Sequence, residues 1–151
     1  MDTQFQIKVL RNGTVEMVTL ADLLTRRTIV SVYMRNDTPS CDRQNASLVA
    51  HAAEFEHAGY NLVAVSRDTC GSHAKYAAKK TITYPLLSDP GDLFALATGS
   101  VIEKSMYGRK FKGPMRAAYV LDRDGTVLAV VEKVDTADHA AQLRQVLAAL
   151  S

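Results

Sequence analysis

The 151-residue sequence predicts an α/β sandwich with a mixed central sheet flanked by helices. Two observations carry this. Two β-branched, apolar runs, residues 28–33 and 61–66, are each followed by a helix-length segment. Period-two alternation at 5–10 and 14–20 adds a hairpin before those units, and strands at 116–121 and 126–134 around a turn add another after them.

The elements follow in order. Phe5 to Leu10 and Thr14 to Leu20 alternate around Arg11-Asn12-Gly13, which reads as an N-terminal β-hairpin. Residues 19–24 suit a short helical turn leading into the strand Thr28 to Tyr33, whose apolar content requires burial on both faces. A helix over about Cys41 to Ala58 ends at Gly59. The second buried strand is Asn61 to Ser66, with Asp68 or Thr69 capping a helix to Lys80. Residues 83–90 form a short extended piece, and Asp89 caps a helix from Gly91 to Thr98. Gly99 to Gly113 is expected to be irregular, and its basic stretch Lys104 to Lys112 to be a mostly solvated loop. Arg116 to Leu121 and Thr126 to Val134 pair across Asp122-Arg123-Asp124-Gly125, and Asp138 to Leu150 closes the chain as an amphipathic helix. Repeats, low-complexity stretches and linkers are absent from the sequence, so one domain over 1–151 is expected.

Composition narrows the function classes. A formal net charge of +2, with basic residues scattered, does not predict a nucleic-acid partner. No apolar run reaches the roughly 20 residues of a membrane span, and Met1 to Lys8 lacks the sections of a secretory signal. A cytoplasmic setting is expected. His51, His57, His73 and His139 form no metal-ligand spacing. The two cysteines, Cys41 and Cys70, are too far apart for a C-x-x-C dithiol or a zinc knuckle, which argues against a thioredoxin-type disulfide reductase.

Cys41 is the most informative residue. It stands between an apolar strand and a helix, where unpaired N–H groups and the helix dipole converge. Such a setting lowers a thiol pKa and makes the nucleophilic thiolate available near neutrality. The Thr38 hydroxyl, three residues earlier, can reach back over the same turn. The competing reading is a buried cysteine acting as a small hydrophobe. The polar neighbours Arg35, Asp37, Ser40, Asp42 and Arg43 count against it.

Five segments, in order, carry a resemblance: Asp37-Thr38-Pro39-Ser40-Cys41; Val65-Ser66-Arg67-Asp68 with Ser72-His73; Tyr84-Pro85-Leu86-Leu87-Ser88-Asp89-Pro90; Met106-Tyr107-Gly108; and Arg116 through Gly125. Over about Phe5 to Leu150 the chain resembles the peroxiredoxins of the thioredoxin-fold superfamily, and within them the bacterioferritin-comigratory, or Q-type, subgroup. The resemblance implies a thioredoxin-like fold and a thiol-dependent peroxidase that reduces hydrogen peroxide or organic hydroperoxides. Cys41 would be the peroxidatic cysteine, Thr38 the active-site hydroxyl and Arg116 the active-site arginine. Without the resemblance, Arg116 reads as a surface residue preceding a strand. A planar guanidinium that stays charged can hold both a thiolate and a peroxide oxygen. No metal, haem or flavin is required. A thioredoxin-like or other thiol reductant would recycle the enzyme, and the subgroup suggests a monomer.

The chain departs from the family pattern in three places. Met34 stands where a proline that shields the site is usual. Ala46 and Ala77 occupy the positions where Q-type members place a resolving cysteine, and Ala117 replaces the serine or threonine after the arginine. Cys70 lies seven residues before Ala77, about two helical turns, and is the candidate resolving thiol. The alternative is a one-cysteine enzyme that uses an external thiol. A rival of another class is a non-catalytic redox sensor or interaction protein on the same fold.

Overall fold

The centre of the fold is β3 (Thr28–Val32), all five residues of which are buried. The structure is a computed structural model that describes residues 1–106 and 108–150. β3 pairs in parallel with β4 (Asn61–Ser66), which pairs in parallel with β5 (Leu86–Ser88). On its other side β3 pairs antiparallel with β8 (Ala117–Leu121), and β8 with β9 (Val127–Val131). The hairpin of β1 (Gln6–Arg11) and β2 (Thr14–Thr19) docks antiparallel on β5. The resulting mixed sheet has the order β2-β1-β5-β4-β3-β8-β9.

Alternation along the buried strands splits the core between the two faces of this sheet. Ile29, Leu62, Ala64, Leu86, Ala118 and Val120 pack on one side with Leu48, Phe55, Tyr76 and Leu143 from the helices α2 (Pro39–His57), α3 (Cys70–Lys80) and α5 (His139–Ala149). Val30, Val32, Val63, Val65, Leu87 and Tyr119 pack on the other with Leu20 and Leu23 of α1 (Leu20–Leu23) and Phe94 of α4 (Leu93–Thr98). Burial on both faces explains why 28–32 and 61–66 read as continuous apolar runs rather than as alternating ones.

Local chemistry fixes the boundaries. Asn12 and Gly13 both have positive φ, as a two-residue hairpin turn requires. Thr19 and Asp22 form a reciprocal capping box at α1. Thr69, rather than Asp68, caps α3. Helix α2 begins at Pro39, two residues before the expected start, because proline at the first helical position has its φ preset and no N–H to satisfy. Helix α4 begins at Leu93 rather than Gly91, with the Asp89 carboxylate accepting from the N–H groups of Leu93 (2.9 Å) and Phe94 (3.0 Å).

Within the segment expected to be irregular, the structure has two strands. Val101–Met106 (β6) and Arg109–Pro114 (β7) pair antiparallel as a separate two-stranded sheet. Its alternation is masked by lysines on both strands and by exposure of Ile102 and Phe111, so backbone pairing rather than an apolar face defines it. Tyr107, part of the fourth segment of the resemblance, lies outside the described residues.

Candidate active site

Thr38 is the N-cap of α2, yet its hydroxyl makes no capping bond to the helix. It donates instead to the Arg35 carbonyl at 2.8 Å, in a loop that Asp37 turns through positive φ. Asp68 and Asn36 hold that loop from behind. The Asp68 carboxylate accepts from the Asn36 N–H (2.9 Å) and the Ser66 hydroxyl (2.6 Å), while the Tyr33 hydroxyl donates to Asn36 Oδ1 (2.6 Å). The His73 ring bridges Leu87 O (3.0 Å) and Asn36 Nδ2 (3.1 Å). Donation from Nε2 to the carbonyl leaves Nδ1 as the acceptor. These polar groups are deep in the domain but satisfied, so they define one loop conformation.

Cys41 occupies the first turn of α2 and is 1 % exposed. Burial pushes its thiol pKa up. That effect is outweighed by the Thr38 hydroxyl, the backbone N–H groups of Arg35 and Met34, and the charge of Arg116, so the net direction is down. The Met34 N–H to Cys41 Sγ distance is 3.4 Å. A Thr38 hydroxyl that reaches both the Arg35 carbonyl and the thiol can transfer its donation to the sulfur by rotation about one bond.

Arg116 precedes β8, and β8 is the neighbour of the strand that leads to Cys41. Its Nη1 donates to Gln44 Oε1 at 2.7 Å. Gln44 is fully buried, and its Nε2 donates to Ser31 Oγ (2.9 Å) and Val32 O (3.1 Å). Ser31 in turn meets His139 Nε2 at 3.0 Å. Sequence reasoning missed Gln44. The signal was its place one helical turn after Cys41, on the same side of α2.

Cys41, Thr38 and Arg116 are therefore brought together, and Cys70 is not among them. Cys70, the first residue of α3, has its thiol pKa raised by burial, opposed by Lys8 of β1 and Ser88 of β5. It lines a separate cavity of about 480 Å³ with Lys8, Met17, Thr69, Ser88 and Leu93. Its neighbours lie on β1 and β5, whereas those of Cys41 lie in the loop after β3 and just before β8. Both cysteines are free. Among the described residues, no group of histidine, cysteine and carboxylate side chains could hold a metal ion.

Comparison with known proteins gives a consistent picture. The model of the AhpC/TSA family matches residues 3–130. The chain is 34% identical over 112 residues, 74% of its length and 70% of the relative's, to peroxiredoxin Bcp of Xanthomonas campestris. Among solved structures, the bacterioferritin comigratory protein of Xanthomonas campestris, studied for alkyl peroxide reduction, superposes with a TM-score of 0.86 at 29% identity, covering 99% of this chain and 94% of that one. Peroxidoxin BcpB of Mycobacterium tuberculosis superposes with a TM-score of 0.78 at 27% identity, covering 99% and 96%.

Proposed function

The chain belongs to the AhpC/TSA family and is a peroxiredoxin, a thiol-dependent peroxidase; on that premise we propose that Cys41 is its peroxidatic nucleophile, with Thr38 and Arg116 completing the reacting site. The observation that carries this is what converges on one buried sulfur: a hydroxyl, two backbone N–H groups and the positive charge of Arg116.

Attack of the Cys41 thiolate on a hydroperoxide oxygen forms an S–O bond and breaks the O–O bond. The electron pair of the O–O bond goes to the departing oxygen, which takes a proton and leaves as water or an alcohol. Cys41 becomes a sulfenic acid. Arg116, its Nη1 fixed by Gln44, presents positive charge where negative charge shifts from sulfur to oxygen. Thr38 donates to sulfur or peroxide as the proton position demands. Near-complete burial of Cys41 favours small hydroperoxides or those with a slender reacting end.

Two thiols of a reductant, thioredoxin-like or other, return the sulfenic acid to the thiol by way of a disulfide and release water. Cys70 can instead be the first partner when the first turn of α2 unwinds, since a disulfide needs Cα atoms within about 7 Å; Cys70 then forms a disulfide with Cys41 and releases water, and the two reductant thiols reduce that disulfide. Otherwise the first partner is an external thiol. A monomer working in the cytoplasm, with neither nucleic acid nor membrane as a partner, completes the reading; among the described residues no helix is long and apolar enough to cross a membrane.

Stopped-flow consumption of peroxide by the reduced protein tests the assignment. Cys41→Ser should abolish consumption while preserving the far-ultraviolet circular dichroism. Turnover retained by that variant would overturn it.

A further inference from the structure

The backbone N–H of residue 34 stands apart from the other donors around Cys41, because the sheet leaves it over. Tyr33 still donates to Val65 O of β4 at 3.0 Å. The pleat aims the next N–H at the opposite neighbour, β8. The ladder with β8, however, reaches only as far as the pair of Val32 with Ala117. The Met34 N–H, without a ladder partner, donates to Cys41 Sγ at 3.4 Å.

The Met34 side chain holds this donor in place from two directions. It is half-buried and packs against the apolar clusters on both faces of the sheet. Its Sδ also accepts from Lys104 Nζ of β6 at 2.8 Å, which ties the β6–β7 hairpin to the start of the active-site loop.

Building on the assignment of Cys41 as nucleophile, we infer that Met34 is a further catalytic residue, acting through its backbone N–H, which stabilises the Cys41 thiolate directly. Any residue except proline could supply this donor, since proline has no N–H. The feature thus depends on the absence of proline here, and the methionine side chain serves to anchor it. A donor of this kind has two opposed consequences. It increases the thiolate fraction at low pH, and it lowers the intrinsic nucleophilicity of each thiolate. Its removal therefore costs reactivity at acidic pH and costs progressively less as pH rises.

The test uses the Cys70→Ser background, so that only one thiol titrates. The thiolate of Cys41 is followed by ultraviolet absorbance against pH, and single-turnover reaction with hydrogen peroxide is measured in parallel, for the parent, Met34→Pro and Met34→Ala. Met34→Pro should move the titration to higher pH and lower the peroxide rate about tenfold at acidic pH, with the deficit shrinking as pH rises. Met34→Ala, which keeps the N–H, should titrate with the parent. A proline variant that titrates with the parent overturns the inference, as does an equal displacement in both variants. Should Met34→Pro fail to fold, the Met34 amide proton resonance decides. It must follow the Cys41 titration in the parent and lose that response in Cys41→Ser; an amide insensitive to pH over that range overturns the inference. A parent thiol that titrates like free cysteine removes the nucleophile assignment and this inference with it. An activated parent with an unmoved proline variant removes only the inference.

Discussion

The roles proposed for three side chains around one sulfur can each be tested by substitution. Arg116→Lys keeps the charge but loses the planar fork that reaches Gln44 at 2.7 Å. Peroxide reactivity should fall about tenfold or more with thermal stability little changed, as measured by stopped-flow rate and by melting temperature. Thr38→Ser preserves the hydroxyl and should be tolerated, whereas Thr38→Val should not. A Thr38→Val protein reacting at the wild-type rate would remove the hydroxyl from the mechanism. Gln44→Leu should impair both function and folding, because Arg116, Ser31 and the Val32 carbonyl each lose a buried partner. A destabilisation of about 1–3 kcal/mol in denaturant unfolding is expected. At Cys70, peptide mapping after peroxide treatment separates the two routes. A Cys41–Cys70 crosslink identifies the internal partner, and a persistent Cys41 sulfenic acid with free Cys70 identifies an external one.

Helix α2 links that chemistry to the core. Its first turn holds Cys41, its second Gln44, and its later turns bury Leu48 and Phe55 against the sheet. Asn45 connects the two ends of this role: its Nδ2 donates to Cys41 O (3.1 Å), and its Oδ1 accepts from the Tyr84 hydroxyl (2.9 Å). Phe55, 1 % exposed, is among the largest fully buried side chains. Phe55→Ala should cost about 3–5 kcal/mol in chemical denaturation. Because Phe55 lies more than three helical turns from Cys41, the fraction still folded should react with peroxide at close to the wild-type rate. A rate loss beyond the unfolded fraction would show that the distal helix also tunes the site. The hairpin of β6 and β7 is a different kind of element. Its strands follow from backbone pairing, and its link to the active-site loop is the contact of Lys104 with Met34.

Over the whole molecule, two buried histidines couple stability to pH. Burial lowers the pKa of His73, partly opposed by the Leu87 carbonyl and Asp68, and lowers that of His139, with Gln142 opposing and Arg116 reinforcing. Both are neutral in the folded protein where an unfolded chain would take up protons. As pH falls below the ordinary histidine value of 6.5, the unfolded state binds more protons, so stability should fall. Stability is full above that value. Urea unfolding across this range should show the slope, and His139→Gln should flatten it; a flat wild-type profile would contradict the neutral assignment. By itself the sequence determined the strands read at 28–33 and 61–66, the N-terminal hairpin, the C-terminal helix and the standing of Cys41, Thr38 and Arg116 as candidates. These rest on local periodicity, capping and the resemblance, all written in short stretches of chain. Only the tertiary structure decided that Arg116 meets Gln44, that Cys70 faces a cavity away from Cys41, and that residues 101–106 and 109–114 pair as strands over Met34. Those facts depend on which strands become neighbours in the sheet and on where one ladder stops, and a hydrogen bond between residues 72 positions apart leaves no period in the sequence.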